Sequence, residues 1–339
     1  MKGRTIALDH LGDVEAAALI VDGVLQDLLI DSDLPRPGTI YRAIAERPMK
    51  GQGGVFLRSP DGPCYLRQIK GLSPGQPLLV QVTGYAEPGK AIPVTPKVLF
   101  KSRYAIVTPG APGLNVSRSI KDDDLRDTLL EIAHEEMSGE AGLILRSSCA
   151  AAARDDIAED IRSMAALAAQ VMTDAEGDAE TLVEGDGPHA LAWRDWTDPA
   201  EIATEAGSFE VHGVLDALEA LRSDRVPLGG GASMHVEPTR ALVAVDVNTG
   251  GDTSPAAGLK ANMAAMKDLP RQLRLRGLGG QITVDPAPCP KKDRRQVESA
   301  LRAALRADWI ETTLVGWTPM GNLELQRKRD RIALSEVLG

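Results

Sequence analysis

The stretch Ala241-Leu-Val-Ala-Val-Asp246-Val-Asn248-Thr-Gly250 decides how this chain reads. A short apolar run ends in a carboxylate, a spacer and a carboxamide, and Gly250-Gly251 then ends the strand. The two-residue period of an extended chain puts Asp246 and Asn248 on one side. A second run, Gly279-Gly-Gln-Ile-Thr-Val-Asp285-Pro286, also ends in a carboxylate, and Pro286 stops it. Between them, residues 255–276 carry a helical pattern. Strand, helix and strand fit a β-α-β unit with parallel strands. Both carboxylates then fall at the C-terminal edge of the sheet, where open α/β proteins bind ligands. Clustered carboxylates raise each other's pKa unless a cation neutralises them. Oxygen ligands without Cys or His suit Mg²⁺ or Mn²⁺, and Asn248 can donate to a phosphate oxygen. The pattern alone leaves a second reading open, in which each Asp only caps the loop that follows its strand.

Working outward, a helix is expected over 208–222, strands over 233–236, 241–245 and 281–284, and a helix over 292–307 with Val297, Ala300, Leu301, Ala304 and Leu305 on one face. Strands at 312–316 and 323–327 complete this β/α region. Pro270 lies inside the 255–276 pattern and predicts a kink or break. At the other end, 5–8, 17–21 and 24–30 read as a β-meander turning at Asp22-Gly23. Residues 37–98 are rich in Gly and Pro. Short strand-like pieces there, at 39–43, 54–57, 64–68, 77–83 and 91–94, suggest a small barrel of OB type. Strands at 104–107 and 142–146 flank a helix at 122–136, and a second helix runs from 153 to 173. Residues 174–188 are acidic and Gly-rich and read as a linker. No internal repeat is visible.

With 339 residues, 43% of them hydrophobic and 25% charged, the chain reads as globular with room for two or three domains. No apolar run reaches the ~18 residues of a membrane span. The charged stretch from Asp9 to Glu15 leaves no room for a signal-peptide core after Met1-Lys2-Gly3-Arg4, so the expected compartment is the cytoplasm, away from any membrane. Cys64, Cys149 and Cys289 are scattered and odd in number, which argues against a disulfide framework or a thiolate zinc site. The net charge of −10 argues against a polyanionic partner, but residues 267–331 hold 14 Lys/Arg against 8 Asp/Glu. That basic quarter could bind a polyanion locally, or be a solvated helix face. Gly229 to Gly231 lack the Lys-Ser/Thr of a phosphate loop and read as a turn before a strand. The five histidines show no ligand spacing and read as structural or solvent-exposed.

The stretch from Val236 to Gly250 resembles the active-site strand of the ribonuclease E/G family, and Arg271-Gln-Leu-Arg-Leu-Arg-Gly-Leu-Gly-Gly280 is similar to a long signature of that family. Asp285 then falls where the family's second catalytic Asp lies. Val21-Asp-Gly and Ile40-Tyr-Arg42 resemble the entry to its inserted S1 domain; Val116-Ser-Arg118 and Gly142 to Ser147 resemble its 5′-sensor region. The resemblance implies an α/β fold with an inserted small β-barrel: an RNase H-like/DNase I-like α+β catalytic part plus an S1 (OB-fold) domain. The implied parts are 1–36, the start of an RNase H-like subdomain; 37–98, the S1-like barrel; 99–177, the sensor-like region; 178–222, a reduced RNase H-like remainder; and 223–339, the DNase I-like catalytic subdomain.

By the same resemblance, Asp246 and Asp285 hold Mg²⁺, with Mn²⁺ as the alternative, and Asn248 orients the scissile phosphate of single-stranded RNA. Water attacks phosphorus, leaving 5′-phosphate and 3′-hydroxyl ends. Arg146 with Ser147, supported by Ile106 and Arg118, matches the 5′-phosphate sensor. Tyr65 matches an RNA-stacking Phe and Lys90 a basic RNA contact, while Arg327 and Arg329 follow a strand similar to an RNA-contacting segment. The sequence departs from the family at several points. The zinc-link cysteines are absent, so any pairing into a homo-oligomer proceeds without zinc. The stretch from Asp246 to Asn262 is about four residues shorter than in the family, Pro286-Ala-Pro288 lacks an acidic residue, Ser102 stands where the family has Gly, and Val55 stands where it has a second stacking Phe. These departures keep an alternative open: an RNA-binding member with weak or lost turnover. A small-molecule phosphohydrolase is a third reading, disfavoured because such an enzyme has no need of a strand-binding barrel.

Overall fold

The computed structural model describes residues 3–47, 53–67 and 71–337. Met1, Lys2 and Gln68, the last placed in a strand by the sequence pattern, lie outside the described residues. The chain divides into two compact units, 1–32 with 200–339, and 33–199.

The first unit begins with the expected meander, β1 (Arg4–Leu11), β2 (Val14–Val21) and β3 (Val24–Ile30). Asp22 and Gly23 both have positive φ, 51° and 78°, as a tight hairpin turn between right-twisted strands requires.

The second unit opens with β4 (Ile40–Ala45), β5 (Gly54–Ser59), β6 (Gly62–Arg67), β7 (Pro77–Val82) and β8 (Ile92–Thr95). They run in the order β4-β5-β6-β8-β7, and β7 pairs back onto β4, so the sheet closes into a five-stranded barrel. Closure removes the edges, and alternate residues such as Val55, Leu57, Cys64 and Leu66 fill the interior. Then come β9 (Phe100–Lys101), β10 (Ala105–Thr108), β11 (Leu114–Val116), α1 (Asp123–Glu136), β12 (Gly142–Leu145) and α2 (Arg154–Thr173). The strands form a sheet in the order β11-β12-β10-β9. Val107, Leu143 and Leu145 pack against Leu129 and Ile132 of α1 and Ile157 and Ile161 of α2. The stretch 174–188 is more than a linker. β13 (Glu180–Val183) adds to β4, Arg42 ties it down by pairing with Asp174 and Glu180, and α3 (Pro188–Asp195) follows.

The first unit resumes with β14 (Glu201–Ala203), parallel to β1. The single helix expected over 208–222 is two, α4 (Ser208–Val211) and α5 (Val214–Leu221), because Gly213 adopts a φ of 70° that breaks the hydrogen-bond ladder. Next are β15 (Arg225–Gly229), β16 (Ala232–Pro238), β17 (Val243–Asn248), α6 (Ala257–Leu275) and β18 (Gly280–Asp285). α7 (Arg294–Ala307), β19 (Thr312–Trp317), β20 (Leu323–Arg327) and α8 (Leu334–Val337) complete it. The sheet order is β15-β16-β17-β18-β20-β19, and only β17 and β18 pair in parallel. Val245, Val247, Ile282 and Val284 face α6 and α7, where Leu269, Leu273, Val297 and Leu301 meet them. Each such side chain contributes about 1.5–3 kcal/mol on burial. The fold class read from the sequence is therefore the observed one.

Of the kink or break expected at Pro270, the break does not occur: α6 runs continuously across it. Proline removes one N–H there, and the packing of a helix with Met266, Leu269, Leu273 and Leu275 all buried outweighs that loss. The helix ends in a Schellman motif. Gly277, φ 64°, donates to the Arg274 carbonyl, and Leu278 donates to the Leu273 carbonyl at 2.8 Å. Among the described residues, no helix is long and apolar enough to cross a membrane.

Candidate active site

β17 alternates strictly. Val243, Val245 and Val247 are buried, and Ala244, Asp246 and Asn248 turn to the opposite face. β18 does the same, with Ile282 and Val284 inward and Asp285 outward. The parallel register sets Asp246 directly beside Asp285. Asn248 Nδ2 donates to Asp246 Oδ2 at 2.7 Å, so the carboxamide and carboxylate share one side as their spacing predicts. The sheet thus brings Asp246, Asn248 and Asp285 together at the ends of two neighbouring strands, all exposed.

Two buried groups fix the loop that leaves Asp285. Asn262 of α6, fully buried, donates to the Ala287 carbonyl at 2.9 Å and accepts from the Ala287 N–H at 2.8 Å. Gly258, one turn earlier, lets the Pro288 carbonyl come so close that a Cβ would overlap it. The sequence reading did not single out Asn262 for this role. A polar residue inside an apolar helical face was the one available clue.

The antiparallel strand β16 places His235 opposite Asp246 and Glu237 opposite Ala244. With Asn248 these residues line a concavity of about 340 Å³. His235 Nδ1 lies 2.8 Å from Asp224 Oδ2, and that hydrogen bond holds the Asp224 carboxyl below its usual range. Asp224, His235 and Glu237 offer ligand atoms within 4.8 Å of one another. His235, read from the sequence as structural or solvent-exposed, is half-buried here between two carboxylates. Glu237 lies two residues further along the same strand, and Asp224 comes from the residue just before β15.

The signature between the two strands has a structural use. Arg271 holds Asp268 at 2.6 Å and the Leu25 carbonyl at 3.0 Å. Arg274 pairs with Asp308 and with Asp27, and Arg276 donates to Gln272 and to the Ser223 carbonyl. Arg327 is a correction to the surface reading. Its side chain is 0% exposed and it pairs with Asp308 at 2.6 Å, so it belongs to the same buried network and has no access to RNA. Leu323, Leu325 and Arg327 share one face of β20, and the strand's alternation turns all three inward. Arg329 is half-buried and lies over Gly280, where a Cβ would overlap its guanidinium.

In the second unit, Ile106 pairs with Ile144 across β10 and β12, on the sheet face away from the helices, and Arg146 follows β12 on that side. Arg146 is already engaged. Nη1 donates to the Ser102 carbonyl at 2.5 Å and the Arg194 carbonyl at 3.0 Å, and Nη2 pairs with Asp195 at 2.7 Å. Burial would raise the Asp195 carboxyl, but the Arg194 and Arg146 guanidinia override it and hold it below its usual range. Ser147 and Arg118 are exposed beside this face. On the barrel, Tyr65 stands opposite Phe56, their ring centroids 5.2 Å apart, while Val55 points into the barrel interior. The outward aromatic partner of Tyr65 is therefore Phe56, the residue next to Val55. Lys90 is exposed, in the loop before β8, and pairs with Glu87.

The sequence model of the ribonuclease E/G family matches residues 100–206 and 194–330. The chain belongs to the ribonuclease E/G family. Ribonuclease G of Salmonella typhimurium is 27% identical, over 95% of this chain and 79% of that protein. Ribonuclease G of Escherichia coli K12 is 26% identical over the same shares, and ribonuclease E of Nostoc sp. is 26% identical over 96% of this chain and 56% of that protein. The matched family region contains the paired strands, the Arg271–Gly280 segment and the Arg146 face.

Proposed function

We propose that this member of the ribonuclease E/G family is an endoribonuclease of RNA processing or decay. On this reading it hydrolyses single-stranded RNA with Mg²⁺ to 5′-phosphate and 3′-hydroxyl ends. The observation that carries it is the side-by-side register of Asp246 and Asp285 with Asn248 hydrogen-bonded alongside. The donor set fits a hard divalent cation: two exposed carboxylates on adjacent strands and no thiolate. Asp246 and Asp285 would hold it. A bound Mg²⁺ would supply an activated water and neutralise charge growing on the phosphate. Asn248 orients the scissile phosphate, and the Asn262–Ala287 pair keeps Asp285 in place. Tyr65 with Phe56 offers stacking surface to unpaired bases, and Lys90 a cation for the backbone. Arg146, Ser147, Ile106 and Arg118 form the face toward a 5′-phosphate; Arg146 must exchange its contact with Asp195 to serve there. The parts proposed are a split RNase H-like region at 1–36 and 178–222, a barrel at 37–98, a sensor region at 99–177 and a catalytic region at 223–339, working in the cytoplasm, with any self-association zinc-free.

The test is incubation with 5′-monophosphorylated single-stranded RNA and Mg²⁺ beside Asp246→Asn. Metal-dependent cleavage that the variant loses is expected. RNA binding with no cleavage above the variant would instead establish the second reading, a binding protein without useful turnover, which the short stretch after Asp246 and Pro286-Ala-Pro288 favour.

A further inference from the structure

Trp193 leaves 63% of its surface open to solvent near the end of α3. An indole that large is normally worth burying. Its position is nevertheless fixed. The Arg103 guanidinium lies 4.0 Å from the centroid of its ring and 5.9 Å from that of Tyr104. Arg103 Nη1 also donates to the Trp193 carbonyl, and Arg146 donates to the next carbonyl, that of Arg194. Arg103 Nε is buried with no hydrogen-bond partner, and no carboxylate pairs with Arg103 among the described residues. The result is a rigid indole with a guanidinium on one face and solvent on the other, beside an uncompensated positive charge.

We propose that Trp193 is a stacking platform for a nucleobase of single-stranded RNA, with Arg103 as its backing cation. The proposal rests on the reading that RNA is the substrate. A flat ring with one open face accepts any base, because every base has a π-face. A guanidinium behind the ring extends the stack and attracts the neighbouring phosphate. Through the contacts of Arg103 and Arg146 with consecutive carbonyls, the platform adjoins the Arg146 face, so a strand entering there meets the indole and the guanidinia together. If Arg103 served only to pin α3, the ring would not need its open face.

The measurement is fluorescence anisotropy of a 3′-labelled, 5′-monophosphorylated oligouridylate, kept in EDTA so that nothing is cut. Trp193→Ala should weaken binding roughly 5- to 100-fold, as the loss of one base–aromatic stack does. Trp193→Phe should keep affinity within about threefold, since it keeps a π-face. Arg103→Gln should weaken binding and flatten its salt dependence. Wild-type affinity in a folded Trp193→Ala overturns the proposal, as does an equal loss in Trp193→Phe. If Trp193→Ala fails to fold, photocrosslinking of a 5-bromouridine oligonucleotide to the unmodified chain decides: a crosslink at Trp193 supports the platform and its absence there overturns it. Trp193-dependent binding without Mg²⁺-dependent cleavage would sink the endoribonuclease reading and leave this one standing.

Discussion

Asp308→Ala should be among the most damaging single substitutions in the first unit, although Asp308 touches no candidate catalytic residue. Its carboxylate side chain is 1% exposed and sits between two arginines, Arg274 and Arg327, whose side chains are 7% and 0% exposed. Arg274 keeps other partners: the Gln26 carbonyl at 2.6 Å and Asp27 at 3.4 Å. Arg327 keeps only the Thr312 hydroxyl at 2.7 Å and the Pro270 carbonyl at 3.5 Å, and its Nε has no partner. Removing the carboxylate leaves a buried guanidinium with no counter-charge, which costs about 3–5 kcal/mol. In a unit of this size that lowers the melting midpoint by roughly 6–20 °C. Urea unfolding followed by the fluorescence of Trp309, over which Arg274 stacks at 4.5 Å, measures it directly. The double variant Asp308→Ala/Arg327→Met should recover much of the loss, because an apolar side chain of similar volume asks for no counter-charge. A loss below about 1 kcal/mol for Asp308→Ala, the range of an exposed pair, would refute the reasoning.

Asn262→Ala strips partners from both the N–H and the C=O of Ala287, at about 2–4 kcal/mol, and should lower kcat more than it raises KM, because the strand end bearing Asp285 loses its anchor; single-turnover cleavage kinetics would show an unchanged rate if the anchor were irrelevant. Tyr65→Ala and Phe56→Ala should each weaken single-stranded RNA binding by roughly 5- to 100-fold, whereas Val55→Ala should lower barrel stability first; equal affinities for all three in anisotropy titrations would remove the barrel face from RNA binding. Burial pushes the Cys149 thiol up to about 11 from an ordinary 9, so a thiol reagent at pH 8 should label half-buried Cys289 well before Cys149. The same shift makes a stabilising contribution that is complete below about pH 9 and lost as pH rises through about 11, readable as a falling unfolding midpoint that Cys149→Ala flattens.

Much of the first unit is legible in the sequence because its signals are local. β17 and β18 announce themselves by period-two apolar runs, and the carboxylates sit at the ends of those runs. The helix between them forces parallel pairing, so two strand-end aspartates must become neighbours. What escaped was set by register between strands. His235 sits mid-strand, and its partners Asp224 and Asp246 arrive from β16's neighbours on either side. Phe56 and Val55 differ by one position, and only the barrel's inward and outward sense separates a stacking ring from a core side chain. At Pro270 the break allowed by a local rule against proline does not occur, because the packing of a whole helix outweighs one lost N–H. β13 was hidden because an acidic, Gly-rich stretch pairs through its backbone, and Arg42 supplies the charge that its own residues lack.

Arg327 shows why the most recognisable segment of this chain need not be its most reactive. Arg271, Arg274 and Arg276 belong to the family-like signature, and Arg327 to Arg329 follow a strand similar to an RNA-contacting segment. In the fold, Arg274 and Arg327 converge on Asp308, while Asp27 takes Arg274 from one side and Arg331 from the other. A buried network of this kind tolerates little single change, since each charge removed strands another. It joins β3, α6, β20 and the turn before β19, and α6 with β20 flanks the strand that ends in Asp285. The arginines thus act on the candidate site by holding its frame. The net positive charge of this quarter is in part internal, so its basic surface is smaller than the sequence count suggests. On the proposed reading, groups outside this network, such as Lys90, Arg118 and the Trp193–Arg103 pair, then carry more of the weight of RNA binding.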